Sequence, residues 1–176
     1  LWADQRLCPH FHLPLQSGSD AVLRRMRRRY DAKSFSGAVE AIRSRMADAA
    51  ITADVIVGFP GETESEFRET VEICGRMEFA DLHGFPYSRR PGTSAARLDD
   101  HVSPELKAAR SQELLTQAAD MASEFRRSLL GTTRPVLWES LRVSESQRTW
   151  TGLTDNYVRV RTVSAADLAN TVAPTR

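Results

Sequence analysis

Residues 54–67 read DVIVGFPGETESEF. An apolar run stops at a Gly-Phe-Pro-Gly-Glu elbow, and a helical pattern follows at once. Thr63 and Glu66 have the spacing of a capping box. The elbow is not a P-loop, because no Gly-Lys-Ser/Thr follows it, and it does not match a dinucleotide fingerprint. In parallel α/β folds ligands lie at the carboxyl ends of strands. Glycines there let a backbone approach a ligand, and a helix start offers free N–H groups. Turn chemistry alone also calls for Gly and Pro at such a point. Taken alone, the stretch fits a ligand site and a plain strand-to-helix turn about equally.

Working outward, residues 10–16, HFHLPLQ, alternate in polarity. Phe11, Leu13 and Leu15 share one strand face, and His10, His12 and Gln16 share the other. Gly18 and Asp20 end this strand and start a helix expected to reach Tyr30, with Val22, Leu23, Met26 and Tyr30 on one face. Arg24 and Arg28 lie opposite, and Arg25, Arg27 and Arg29 flank the stripe. Ser34 is expected to cap the next helix, whose apolar positions are Phe35, Ala38, Val39, Ile42 and Met46. Ile51–Val57 reads as a strand covered on both sides. Phe67, Val71, Cys74 and Met77 mark a third helix, and residues 82–87 a further strand broken by Gly84 and Pro86. This alternation predicts parallel strands with crossover helices. Only about three strands are visible, too few to close an eight-stranded barrel.

Pro91 and Gly92 open a polar connector. Ser103 and Pro104 start a helix expected to run to Leu130 and stop at Gly131. Its stripe is Leu114, Ala118, Met121, Phe125 and Leu129. Beyond it, VLWESLRV, RTWTGL and YVRVRTV read as short antiparallel strands. The expected organisation is an α/β unit over residues 1–98, a connecting helix over 99–131 and a small β unit over 132–176.

The chain has 176 residues, 41% hydrophobic and 27% charged, which is enough apolar content for a packed core. With 24 Lys+Arg against 23 Asp+Glu the net charge is +1, so only local clustering can point to nucleic acid. No apolar run reaches transmembrane length and no signal peptide is evident, so a soluble cytoplasmic protein without membrane contact is expected. The chain starts at Leu1 rather than Met, which suggests a fragment or a processed form.

LQSGSD at 15–20 repeats the strand–turn–helix arrangement of the elbow. Gln16 and Ser17 there, together with Gly58–Gly61, could make a polar ligand floor, or Ser19 or Asp20 could simply cap a helix. RRMRRRY at 24–30 contains five arginines and no acid, a pattern shared by solvated helix faces and phosphate-contacting patches. His10 and His12 point the same way but lack further ligands at metal spacing. Cys8 and Cys74 form neither a disulfide framework nor a closely spaced metal motif, and Cys74 falls on an apolar helix face. YVRVR is predicted to place Tyr157, Arg159 and Arg161 on one strand face, where a base could stack and phosphates pair. An ordinary solvated face fits the same pattern.

HLPLQSGSDAVLRRMRRRY, ITADVIVGFPGETESEF, LHGFPYSRRPGTSAA and TGLTDNYVRVR, in that order, resemble the radical SAM methylthiotransferases. These enzymes insert a methylthio group into modified tRNA adenosines or a ribosomal protein. GLTDNYVRV is most similar to the branch acting on N6-threonylcarbamoyladenosine beside the anticodon; the isopentenyladenosine and ribosomal-protein branches are the alternatives. The resemblance implies the second half of a partial (β/α) barrel, a connecting helix and an incomplete TRAM-like RNA-binding unit. It implies S-adenosyl-L-methionine and 4Fe–4S clusters as cofactors, and a tRNA anticodon stem-loop and a cluster reductant as partners. By the same resemblance Gly58, Phe59, Pro60 and Gly61 lie beside the adenine, and Gln16 and Ser17 face the ribose and amino-acid part. Arg24, Arg28, Tyr157, Arg159 and Arg161 become RNA contacts. The family's C-x3-C-x2-C loop is not in this sequence, so no catalysis is expected of this chain alone and no metal ligand is assigned. A cluster-free RNA-binding protein is the reading from a different class.

Overall fold

A computed structural model describes residue 4, residues 6–144 and residues 147–176. Three parallel strands, β1 (His10–Gln16), β2 (Ala50–Val57) and β3 (Asp81–Pro86), form one sheet in the order β1-β2-β3. Helices α1 (Asp20–Arg25) and α2 (Ala32–Arg43) cross from β1 to β2, and α3 (Glu64–Met77) crosses from β2 to β3. A short 3-10 turn (Ala95–Arg97) precedes the long α4 (Pro104–Ser128). The second sheet is antiparallel, in the order β6-β5-β4-β7, from β4 (Arg134–Ser144), β5 (Gln147–Thr154), β6 (Arg159–Val163) and β7 (Thr171–Thr175).

One core holds the parallel unit together. Leu15, Ile51, Ala53, Val55, Val57 and Leu82 project from the sheet into Phe35, Val39 and Ile42 of α2, Phe67, Ile73 and Cys74 of α3, and Leu114, Ala118 and Met121 of α4. The period-2 and period-3.6 stripes of the sequence therefore meet on one side of the sheet. Ile51–Val57 is covered on that side by helices. The other face of β2 carries Thr52, Asp54 and Ile56, and the last two are only half-buried. A strand sequence that reads as doubly covered thus has one face on a helical layer and one on an open concave side. A parallel sheet with its helices on a single face is a barrel-type arrangement, not a doubly wound one.

Several boundaries differ from the sequence reading. The first helix stops at Arg25 instead of Tyr30. Arg27 turns left-handed at φ 58°, and the N–H groups of Arg27 and Arg28 bond back to the carbonyls of Arg24 and Leu23. This is a Schellman close without glycine. Continuing the helix would stack like charges one turn apart, which is unfavourable. Tyr30 instead donates its hydroxyl to the Pro14 carbonyl at 2.6 Å. The cap of α2 is Asp31, not Ser34; Ser34 sits at the third helical position and returns a bond to the Asp31 N–H, a reciprocal box. Gly84 and Pro86 lie within β3 and do not break it. Gly84 leaves room for Leu114, whose Cδ2 would stand 3.2 Å from an added Cβ. The long helix ends at Ser128, and Gly131 follows at φ 81°. Strand β7, pairing with β4, was not visible in the sequence pattern.

Gly18 is packed against α3 so closely that a Cβ would lie 2.6 Å from the Thr70 Cα and 2.8 Å from the Glu69 carbonyl oxygen. The antiparallel unit has its own small core of Val136, Trp138 and Trp150, with Val160, Leu168 and Ala173 against it. Side-chain contacts at Asp48 help fix it to the parallel unit. Arg134 pairs with Asp155 at 2.7 Å and also with Asp48, and the buried Asn156 donates to the Asp48 carbonyl at 3.2 Å.

A forked ion pair ties α1 to the start of α3. Arg25 donates to both oxygens of Glu66, at 2.9 and 2.7 Å, and Glu66 also accepts the Thr63 N–H at 2.8 Å. The Arg25 guanidinium, above all, holds the Glu66 carboxyl down at about 2, against an ordinary 4.5. A depressed carboxyl contributes stability above its unfolded-state value and loses it as pH falls through the folded one. The stability gap between the native chain and Glu66→Gln should therefore be full above about pH 4.5 and close progressively toward about pH 2. Urea titrations of both proteins across that range would check this.

Candidate active site at the strand ends

The elbow after β2 takes its shape from two left-handed glycines, Gly58 at φ 70° and Gly61 at φ 73°. The Gly58 N–H donates to Glu62 Oε2 at 2.7 Å, and the Gly61 N–H donates to the Asp100 carbonyl at 2.6 Å. Arg110 of α4 reaches the same Glu62 oxygen at 2.8 Å, the Glu62 carbonyl at 3.1 Å and Glu64 at 3.2 Å. Glu62 and Arg110 are both almost fully buried. Burial pushes the Glu62 carboxyl up, and the Gly58 N–H and Arg110 oppose that push. The guanidinium also lies 5.2 Å over the Phe67 ring, a cation–π placement. Lys107 packs its stem where a Gly58 side chain would go and donates Nζ to the Tyr87 carbonyl at 3.2 Å. The elbow is thus clamped from outside by α4.

A cavity of about 590 Å³ opens on the concave side at the carboxyl ends of all three strands. Gln16 from β1, Asp54 and Ile56 from β2, Phe85 and Tyr87 from the end of β3, and Arg90 line it. Its chemistry is mixed: an amide, a carboxylate and a guanidinium among apolar walls, the make-up of small-molecule sites. Gln16 is itself left-handed at φ 66°, and its Oε1 accepts from Arg28 at 2.8 Å. Asp54 Oδ2 lies 3.2 Å from His12 Nε2, and His12 Nδ1 meets Thr52 Oγ1 at 2.9 Å.

Of the expected cofactor residues, only Gln16 lines this cavity. Gly58, Phe59, Pro60 and Gly61 sit just beyond it, with Phe59 edge-on to Tyr87 at 5.3 Å. Ser17 is fully buried; its Oγ bonds Thr70 Oγ1 at 3.2 Å and accepts the Ser19 N–H, docking α3 on the β1 turn. Arg24 is exposed on α1. Asp54, Ile56, Phe85, Tyr87 and Arg90 were missed in the sequence. Asp54 left a usable signal, since it is the one acid inside the apolar run of β2.

The expected RNA face also changes shape. Arg159 and Arg161 are exposed and alternate with half-buried Val160 and Thr162 on β6. Tyr157 is not on that strand. It occupies the turn before it at φ 70°, with its ring stacked on His10 at 4.7 Å between centroids. Period-2 reasoning fails there because the chain has not yet become extended. The two cysteines do not fit a cluster. Cys8 is exposed before β1, whereas Cys74 is buried in α3 with its thiol pushed up to about 12. A cluster of this kind needs several thiolates converging on one point. Among the described residues no three His, Cys, Asp or Glu side chains are placed to hold a metal ion.

Residues 2–74 match the radical SAM superfamily. The threonylcarbamoyladenosine tRNA methylthiotransferase MtaB of Bacillus subtilis is 38% identical over 156 residues, 88% of this chain and 35% of that protein. The MtaB protein of Thermotoga maritima is 44% identical over 134 residues, 76% of this chain and 31% of that one. The tRNA-2-methylthio-N(6)-dimethylallyladenosine synthase of Parafrankia is 48% identical over 125 residues, 71% of this chain and 25% of that protein. The chain belongs to the radical SAM methylthiotransferase family. It spans about a third of the length of the curated family members it matches. Among solved structures, the radical SAM enzyme coproporphyrinogen III oxidase of Escherichia coli shares the fold at TM-score 0.56 and 15% identity, over 84% of this chain and 41% of that one.

In this methylthiotransferase-family chain the Glu62–Arg110 pair carries the elbow, and removing one partner strands a buried charge. Arg110→Ala should cost about 3–5 kcal/mol, while Glu62→Gln with Arg110→Met should recover most of the loss. Urea midpoints at unchanged m-value would read both.

Proposed function

We propose that this chain is the cofactor-facing and RNA-facing part of a tRNA methylthiotransferase acting on N6-threonylcarbamoyladenosine next to the anticodon. The match to the Bacillus subtilis protein carries the reading. It covers 88% of the chain, more than the parallel unit and α4 together contain, so it must extend into the antiparallel unit. The dimethylallyladenosine-type relative is matched over 71%.

In this reading the cavity at the strand ends receives S-adenosylmethionine. Gln16 and Asp54 offer hydrogen-bonding groups to its amino-acid and ribose parts, and the Gly58–Gly61 backbone borders its adenine. Phe85 and Ile56 exclude water from one side. The cofactor and a 4Fe–4S cluster together supply radical chemistry. The cluster ligands must come from cysteines that this chain does not contain, and a reductant for that cluster is the further partner. Arg24, Arg28, Arg159 and Arg161 would meet phosphates of the anticodon stem-loop. Cytoplasmic location follows from that substrate. Among the described residues no helix is long and apolar enough to cross a membrane.

Three measurements test this. The complete protein, expressed in cells lacking the activity, should restore the methylthio derivative of threonylcarbamoyladenosine in digested tRNA, read by mass spectrometry. A methylthio group on isopentenyladenosine instead would overturn the branch, and no methylthio nucleoside would overturn the activity. Separately, calorimetry on this chain should show S-adenosylmethionine binding that weakens at least about tenfold in Asp54→Ala, the worth of one hydrogen bond to a charged group. Anaerobic reconstitution of the same chain should leave it without a stoichiometric iron–sulfur cluster.

A further inference from the structure

A second cleft, of about 390 Å³, lies at the opposite end of the parallel sheet, where β1 and β3 begin and the antiparallel unit docks. His10 and His83 form one wall, Phe125 and Arg126 at the end of α4 another, and Tyr157 and Arg159 the third. We propose that this cleft holds one unstacked nucleotide of single-stranded RNA, its base against Tyr157 and Phe125 and its phosphates on Arg126 and Arg159. The inference rests on the RNA reading above, shares Arg159 with it, and adds Tyr157 of the turn before β6 and Phe125 and Arg126 of α4.

Three observations carry it. First, Tyr157 adopts φ 70°, a region that bulky side chains avoid. The turn is built to enforce it: Thr154 Oγ1 bonds the Asn156 side chain at 2.6 Å and accepts the Val158 N–H at 2.8 Å, and the Tyr157 N–H donates to the Thr154 carbonyl at 2.9 Å. Strain that the surroundings over-determine is found preferentially at binding sites. Second, the strain does not bury the ring. Tyr157 remains 64% exposed although it stacks on His10, so aromatic surface is presented and not consumed. Burial, and then the neighbouring His12, lower the His10 pKa. Third, neither Arg126 nor Arg159 pairs with a carboxylate among the described residues, and Asp81, the one acid lining the cleft, accepts the Leu82 N–H at 2.8 Å. Aromatic platforms beside unpaired guanidiniums are what single-stranded RNA binds.

The cleft cannot be the reaction site. His10 and Gln16 are the two ends of β1, about 20 Å apart at ~3.3 Å per residue. A nucleotide held here would be about six stacked nucleotides from one at the strand-end cavity, at ~3.4 Å each.

The test uses the intact chain and a short single-stranded RNA carrying a fluorescent adenine analogue. Binding should quench the analogue with the native chain and with Tyr157→Phe, and Tyr157→Ala should bind about 5- to 150-fold more weakly. Arg126→Gln, on a different element from the strained turn, should lower the slope of log affinity against log salt by about 0.7. RNA binding without quenching, with Tyr157→Ala and Arg126→Gln both unchanged, would overturn the cleft while leaving the RNA reading intact. Equal affinity for a blunt duplex would also overturn it. No RNA binding by the native chain would overturn both.

Discussion

The buried contact between Glu62 and Arg110 sets the geometry on which the rest of the molecule depends. A glycine elbow at φ 70° has little conformational preference of its own, and its shape must come from what it bonds to. Here one carboxylate oxygen satisfies the Gly58 N–H and the α4 guanidinium together. The same contact therefore decides how β2 ends, where α3 begins and where α4 lies across the sheet. Such a pair contributes little net stability compared with an apolar substitute, but it permits few alternative arrangements.

From that anchor, α4 transmits position over a long distance. Its 25 residues span about 37 Å at ~1.5 Å per residue. Leu114, Ala118 and Met121 lie in the parallel core, and its last turn meets the antiparallel unit. Arg134 and Asn156 then close the joint on Asp48, in the loop before β2. The antiparallel unit is fixed by a helix on one side and by the sheet on the other, so the arginines of β6 keep a set relation to the strand-end cavity.

Much of this architecture was legible in the residues. The alternation of HFHLPLQ, the capping box at Thr63 and Glu66, and the Ser103-Pro104 helix start each correspond to an observed element, because each is a local rule with few competitors. The strand-end site was only partly legible. Gln16 was found from its place on a polar strand face, but Asp54, Phe85 and Arg90 meet it only through the pairing of three strands distant in sequence. The buried Arg110 was invisible for a similar reason: in sequence it is one more charge on a long helix, and its burial comes from the elbow that folds over it. Tyr157 shows the opposite failure. Its period-2 neighbours suggested a strand, and a turn enforced by Thr154 and Asn156 prevailed.

The contrast between the two cysteines has a practical meaning. Cys74, packed in the core with its thiolate strongly disfavoured, is closed to alkylating and oxidising reagents while the fold persists. Cys8 stands exposed two residues before β1. The folded chain therefore presents a single addressable thiol two residues before the His10–Tyr157 stack, a natural attachment point for a spectroscopic label. Labelling of the second thiol, Cys74, would serve as a clock for opening of the core.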